Sequence, residues 1–205
     1  MRETPPRQRS QRPQAVLDLR GHVAREADLS SEQPETMTEL IEYADNIFSS
    51  LLYLTLETVD VRDESVDIIA HHAGIGIGLV TALRGLRMRL IQGECIIPKE
   101  LLPMRFPYDA LIHTNNCSFA DENHEIHRDE RSQQLTEDER EFLRDAVEQI
   151  CITAYSHLSQ AQELQSDVPK HARMCFLPVI PAMHYLKKAV IPCLSLRLGQ
   201  NKELL

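Results

Sequence analysis

Apolar residues recur every three or four positions along most of the chain, which is the spacing of amphipathic α-helices. Thr36 followed by Glu39 has the pattern of a capping box and predicts that a helix starts there. The predicted buried stripe of this helix consists of Leu40, Ala44, Ile47, Phe48, Leu51 and Leu52. Residues 51–56 are apolar on nearly all sides, which favours a central position. A shorter helix is predicted upstream, over Gln14–Asp28.

A second long helix is predicted over Glu64–Gln92. Its predicted core face carries Val66, Ile69, Ala70, Ala73, Ile77, Val80 and Leu83. The middle of the helix reads AGIGIG, with glycines at Gly74, Gly76 and Gly78. A nucleotide-binding glycine loop needs a preceding strand, which the sequence does not show, so we expect the glycines to let two helices pack closely. Pro98 ends this region, and Lys99–Leu102 is predicted to add one further turn.

The remaining chain is predicted to be a surface segment followed by more helix. Residues 103–134 show little periodicity, and Thr136 with Glu139 then forms a second capping-box pattern. The stripe of the helix that follows consists of Phe142, Ala146, Ile150, Thr153, His157, Ala161 and Leu164. A final helical region is predicted from Pro169, with bends at Pro178, Pro181 and Pro192. With no strand pattern and no internal repeat, the predicted fold class is all-α, a helical bundle or array.

Composition excludes several classes of function. A net charge of −9 and an aromatic content of 5% without Trp argue against a nucleic-acid partner. The five cysteines form no CxxC pair, which indicates reduced thiols rather than a disulfide framework. Residues 1–14 combine four Arg with three Pro and are predicted to be a disordered segment that precedes one domain over residues 15–205.

No uninterrupted apolar run has the length of a membrane span. The nearest is Met174–Leu186, which Pro178 and Pro181 break. The longer region Met174–Leu198, with Lys187, Lys188 and Arg197 interspersed, could rest on a membrane surface or on a partner helix, or it could form a helix pair in the core.

Three clusters of polar residues are candidates for sites. His71 and His72 point about 100° apart on a helix and are unsuited to share a metal. An acidic segment could hold zinc, although its spacing fits no standard finger and a solvated loop is the expected reading. Its potential ligands are Cys117, Glu122, His124, His127 and Asp129. Arg84, Arg87 and Arg89 could bind a phosphate or a lipid headgroup, because guanidinium recognises phosphate, or could form a solvated helix face.

Four segments resemble the squalene/phytoene synthase family, most closely its branch that serves the assembly of mitochondrial respiratory complex I. They are Thr36–Glu57, which contains SSLLYLTLE, His71–Leu102, Phe142–Gln165 and Phe176–Lys188. The resemblance implies a terpenoid-synthase-like bundle of α-helices around a cavity. It also implies that this chain lacks the first helices of the bundle, so that residues 51–56 and 75–80 would leave an exposed apolar patch.

Enzymes of this family ionise prenyl diphosphates with Mg²⁺, which needs carboxylate oxygens as ligands. Their second acidic motif has the form NxxxDxxxD and precedes an LP pair. When Pro98 is placed on that proline, Thr81 takes the position of the Asn, and Gly85 and Arg89 take the positions of the two Asp. The resemblance therefore implies that the chain has no catalytic residues, no metal and no cofactor.

The function implied by the resemblance is that of a non-enzymatic assembly factor. It would act in mitochondria at the matrix face of the inner membrane, with peripheral membrane contact, and its partners would be complex I subunits or other assembly factors. A lipid or isoprenoid in the cavity stays open at this point. The alternative is a divergent squalene/phytoene-synthase-type prenyltransferase that acts on isoprenoid diphosphates.

Overall fold

The computed structural model describes residues 33–92, 94–107 and 136–198. Five α-helices lie in these ranges: α1 (Met37–Ala44), α2 (Ser50–Thr58), α3 (Glu64–Ile91), α4 (Glu137–Glu163) and α5 (Val179–Leu198). No strand occurs within the same ranges, so the predicted all-α class is confirmed. The predicted helix at Gln14–Asp28, the zinc candidates at 117–129 and most of the segment 103–134 lie outside the described residues.

The helix predicted from Thr36 is divided in two by a π-helical turn, Asp45–Ser49, between α1 and α2. Such a turn inserts an extra residue, so the faces of the helix change register after it. The polar residues Ser49 and Ser50 are therefore buried, while Leu51 is 47% exposed. The predicted stripe is correct for Leu40, Ala44 and Leu52 but wrong for Leu51.

Caps set the beginnings of the helices. At Thr136 the predicted capping box is confirmed, because the Glu139 N–H donates to Thr136 Oγ1 and the Thr136 N–H donates to Glu139 Oε2. At Thr36 only half of the box forms. The Glu39 N–H donates to Thr36 Oγ1, but Glu39 Oε2 accepts instead from the N–H of Glu35, one residue earlier.

Helix α3 is the centre of the fold and contacts all four of the other helices and the π turn. Its glycines remove the Cβ atoms where these neighbours come closest. A Cβ on Gly74 would lie 2.5 Å from Ser49 Cα, and one on Gly76 would lie 2.5 Å from Leu158 Cγ. A Cβ on Gly78 would lie 2.7 Å from that of Ala44. The expectation that the glycines serve close helix packing is therefore confirmed.

Helices α4 and α5 also pack against α3. The buried face of α4 consists of Ala146, Ile150, Cys151, Ala154, Leu158 and Ala161, whereas Phe142 and Leu164 at its two ends are exposed, contrary to the predicted stripe. Pro169 caps a 3₁₀ helix, Lys170–Phe176, and the backbone changes to α-helix after Pro178. Helix α5 continues through Pro181 and Pro192, so the bends predicted there do not interrupt it.

The apolar patch expected at residues 51–56 and 75–80 is not present. Leu52, Leu56, Ile75, Leu79 and Val80 are all buried. The glycine face of α3 allows α4 and the π turn to approach closely enough to cover this region. Only Leu51 in the two segments is an exposed large apolar residue.

The part of α3 from Glu64 to Leu90 is the one described helix that is long and apolar enough to cross a membrane. Its most apolar window has a mean hydropathy of 1.5, but 61% of that window is buried inside the protein. A helix in the core of a protein has the same length and composition, and α3 occupies such a core position. The most apolar long segment is thus α3, not Met174–Leu186.

Gly74→Ala is expected to destabilise the protein, although alanine is the better helix former. The new Cβ would meet the backbone of Ser49, which cannot rotate away, so overpacking is expected to cost about 1–3 kcal/mol. Gly85→Ala is the matched control. No atom lies within 4 Å of its Cβ, so this change is expected to stabilise by about 0.5–1 kcal/mol. Urea unfolding measures both, and equal effects of the two substitutions would contradict the packing argument.

Candidate functional site

A cavity of about 850 Å³ lies between α1, the π turn and the C-terminal half of α3. Leu40, Tyr43 and Phe48 form one wall. The opposite wall is a single face of α3, with Gly78, Thr81, Ala82, Gly85 and Arg89 at helical spacing. The chain on either side completes the lining with Gln33, Pro34, Glu35, Glu39, Glu94, Cys95, Ile96 and Lys99.

Thr81, Gly85 and Arg89, the three positions expected to correspond to the family's acidic motif, all line this cavity. Their i, i+4, i+8 spacing places them on one face of α3. The Thr81 hydroxyl donates to the carbonyl of Ile77 at 2.8 Å, one turn earlier on the same helix. Gly85 offers no side chain, and the space where a Cβ would stand is open.

Hydrogen bonds join the residues before α1 to the segment after α3, and both of these segments line the cavity. The N–H groups of Lys99 and Glu100 donate to the carbonyls of Pro34 and Glu35 at 2.9 and 3.0 Å. The Gln33 amide donates to the Ile97 carbonyl at 2.6 Å. These contacts hold together two parts of the chain that lie more than sixty residues apart.

The charged groups of the cavity are partnered. Lys99 Nζ pairs with Glu35 Oε1, and Arg89 lies 3.8 Å from the carboxylate of Glu94. The carboxylate of Glu39 accepts the N–H of Glu35. Three acids therefore meet two cations around this space, and none of the acids belongs to the motif face of α3.

The predicted arginine cluster divides between two surfaces. Arg89 lines the cavity, whereas Arg84 and Arg87 are exposed and do not line it. Burial and the neighbouring Cys151 raise the pKa of Tyr185 on α5, and the positive charge of Arg84 offsets part of this rise. Of the three arginines, Arg89 alone is placed to meet a phosphate inside the cavity.

The lining does not fit Mg²⁺. At the two positions that would supply carboxylates, Gly85 has no oxygen and Arg89 carries a positive charge. The Cys95 thiol is also a poor ligand, because burial raises its pKa and keeps it protonated at neutral pH. Among the described residues no group of three or more His, Cys, Asp and Glu side chains has the geometry to hold a metal ion.

A chain of polar side chains joins the π turn, α3 and α4. His71 Nδ1 lies 2.8 Å from Asp45 Oδ1, and His72 Nδ1 lies 3.0 Å from His157 Nδ1. The hydroxyl of Ser49 donates to the carbonyl of His71 at 3.1 Å. His71 and His72 thus point to different partners, as their adjacent positions on a helix require.

Sequence reasoning missed both the acids of the cavity and the histidine contact. The acids come from segments distant in sequence, so no local pattern marks them. His157 did carry a signal, because it is a titratable residue in the mostly apolar stripe of α4. A polar residue on a buried face needs a partner, but no local pattern identifies His72 as that partner.

The described residues form an all-α array whose central helix lines a cavity, an architecture that agrees with a terpenoid-synthase-type bundle. The sequence profile described as squalene/phytoene synthase matches residues 2–189, and the chain belongs to this family. No solved structure matches the chain.

The chain is also similar to curated proteins named NADH dehydrogenase (ubiquinone) complex I, assembly factor 6. The Rattus norvegicus protein is 30% identical over 164 residues, which cover 80% of this chain and 43% of that protein. The Homo sapiens protein is 28% identical with the same coverage. The Drosophila melanogaster homolog is 29% identical over 154 residues, 75% of this chain and 40% of that protein. The chain therefore spans less than half the length of these relatives.

Acidification is expected to destabilise the fold through His72 and His157. Burial lowers the pKa of both rings, and the neighbouring histidines lower it further. The folded state thus binds fewer protons than the unfolded chain, whose histidines titrate near 6.5. Stability is complete above that value and is lost as the pH falls from it towards the lowered folded pKa values.

The measurement is thermal unfolding between about pH 7.5 and about pH 5.5. His157→Gln is expected to reduce the fall in melting temperature across this range, whatever its effect at neutral pH. His171→Gln, at an exposed position, is the control and should leave the pH dependence unchanged. A pH dependence that is the same in all three proteins would contradict the role of the His72–His157 contact.

Proposed function

We propose that this protein is a non-enzymatic assembly factor of mitochondrial respiratory complex I, built on a prenyl-synthase fold that has lost its metal chemistry. Two observations support the proposal. The chain belongs to the squalene/phytoene synthase family, and its curated relatives carry the name of complex I assembly factor 6. Gly85 and Arg89, at the positions that we assign to the family's acidic motif, face the cavity and offer no carboxylate to a metal.

The observation that carries the non-enzymatic part is the pair Gly85 and Arg89 on the cavity wall. Departure of a diphosphate builds up negative charge that Mg²⁺ must neutralise, and Mg²⁺ needs carboxylate oxygens to hold it there. Arg89 would repel the ion, and Gly85 supplies no oxygen to it. Function follows from the site and not from the fold, so inheritance of the bundle does not argue for inheritance of the reaction.

The alternative, a divergent prenyltransferase, has one observation in its favour. A cavity of about 850 Å³ with apolar side chains such as Leu40 and Phe48 is within the usual size range of small-molecule sites. A lipid or isoprenoid tail would fit such a space, and Arg89 would be the group nearest to a phosphate. Occupation of the cavity by such a ligand is compatible with an assembly factor, whereas turnover is not.

The proposed place of action is the matrix face of the mitochondrial inner membrane, with peripheral contact to the membrane. The proposed partners are complex I subunits or other assembly factors. The names of the relatives support complex I as the process. The final helical region supports peripheral contact, because exposed apolar and basic side chains share its surface.

The first test is for catalysis. Purified protein is incubated with farnesyl or geranylgeranyl diphosphate under saturating Mg²⁺, and released diphosphate is measured. We expect no release above that of heat-denatured protein, because Gly85 and Arg89 leave the motif face without carboxylates. Mg²⁺-dependent release well above the denatured control would favour the prenyltransferase.

The second test is for the cellular role. Depletion of the full-length protein is expected to lower assembled complex I on native gels and to leave the other respiratory complexes largely intact. Re-expression of the wild type or of Gly85→Ala should restore complex I equally, because residue 85 has no catalytic task in an assembly factor. Normal complex I after complete loss of the protein would refute the proposal.

A further inference from the structure

Charge is distributed unevenly along the chain. The protein has a net charge of −9, yet no Asp or Glu occurs between Asp167 and Glu203. Within residues 168–188 the formal charges are those of Lys170, Arg173, Lys187 and Lys188. The 3₁₀ helix and the first half of α5 therefore form a basic end on an acidic protein.

The buried side of this region faces the core. Positions at helical spacing pack inward and hold the segment against α2, α3 and α4. These residues are Ala172, Cys175, Phe176, Val179, Ala182, Met183 and Leu186. The alternative in which this region packs in the core thus describes only one side of residues 170–188.

The other side exposes large apolar side chains in its centre. Met174 is 70% exposed and Ile180 is 62% exposed, and Leu177 between them is also exposed. They follow one another at intervals of three residues, which matches the turn of a 3₁₀ helix and nearly that of an α-helix. The three side chains therefore form a continuous apolar strip.

Cations flank this apolar strip at both ends. Lys170 and Arg173 are exposed before it, and Lys187 and Lys188 are exposed after it. His184, one turn of helix before Lys188, is exposed as well. Apolar side chains in the middle of a surface with cations at its edges are typical of proteins that lie on the interface of an anionic membrane.

We propose that this surface, the exposed side of residues 170–188, docks on an anionic phospholipid bilayer, with Met174, Leu177 and Ile180 inserted among the acyl chains and the cations on the headgroups. We call it the basic ridge. Charge complementarity selects the occupant: each lysine near an anionic surface is attracted to it, and no carboxylate on the segment opposes that attraction.

A protein helix is the competing occupant and is distinguished by experiment. The inference rests on the proposed function in one respect, because the basic ridge is the surface through which the protein would make its peripheral contact with the membrane. Binding of lipid by the ridge does not depend on complex I, so the two can fail separately.

The test is sedimentation of the purified 205-residue chain with vesicles. One set is phosphatidylcholine alone, and the other is an equimolar mixture of phosphatidylcholine and phosphatidylglycerol. We expect binding to the anionic vesicles, weakened by added salt because exposed charges are screened, and little binding to the neutral ones.

Two variants probe the two parts of the ridge. Lys187→Glu with Lys188→Glu is expected to lower the partition coefficient roughly 30-fold or more, as two surface lysines are lost and then opposed. Ile180→Ser is expected to lower it roughly tenfold through loss of insertion. All three positions are exposed, so folding should be retained, which circular dichroism checks.

Matched controls lie elsewhere on the surface. Arg62→Glu with Arg105→Glu changes the net charge by the same amount at two exposed positions outside the ridge. Ile152→Ser removes an isoleucine of α4 that is 53% exposed. Both controls should bind anionic vesicles like the wild type.

Three results would overturn the inference: no binding of the wild type to anionic vesicles, equal binding to neutral ones, or equal losses in the variants and their controls. If the wild type ignores vesicles and the double lysine variant fails to restore complex I in depleted cells, the ridge is a protein-docking surface and the proposed function stands. If vesicle binding behaves as expected while depletion leaves complex I normal, the proposed function fails and the ridge remains.

Discussion

The close approach of α3 to its neighbours is the constraint on which the rest of the fold depends. Three glycines on alternate positions remove the Cβ atoms that would otherwise separate this helix from the π turn, α1 and α4. Because interiors are close-packed, an added methyl group at one of these crossings would displace α3, and with it the cavity wall that α3 provides. One helix thus supplies both the packing centre and one wall of the cavity, so the geometry of the cavity depends on the contacts at these glycines, of which Gly78 itself lines the cavity.

The elements that could be predicted from sequence are those with local causes. Capping residues such as Thr136 and Asp63 bond to N–H groups two or three residues away, so their patterns are visible in a short window, although only the first was predicted. The role of the glycines followed from the absence of a preceding strand. The π turn could not be predicted in this way, because it is held by Asp45 and Ser49 through contacts with His71, which is remote in sequence.

The candidate site also has one part that could be predicted from local sequence and one part that could not. The face of α3 with Thr81, Gly85 and Arg89 could be predicted from helical spacing once the family's motif was placed, and the cavity confirms that these positions share one wall. The charged residues that complete the lining could not be predicted, since Glu35, Glu94 and Lys99 come from segments that meet through hydrogen bonds between residues distant in sequence. Glu35 and Glu94 pair with Lys99 and Arg89, and no acid lies on the face of α3 that carries Thr81, Gly85 and Arg89.

The π turn has a consequence for how this chain corresponds to others of its fold. A π turn is equivalent to a single inserted residue, and the helices on its two sides are each in register with α3 but not with each other. Removing one residue between Ala44 and Ser50 would rotate α2 by about 100° and exchange the buried serines for Leu51. A relative with an unbroken helix at this place therefore corresponds to this chain only when a one-residue gap is opened here. Segment length, rather than hydrophobicity, decides which side chains reach the core of this protein.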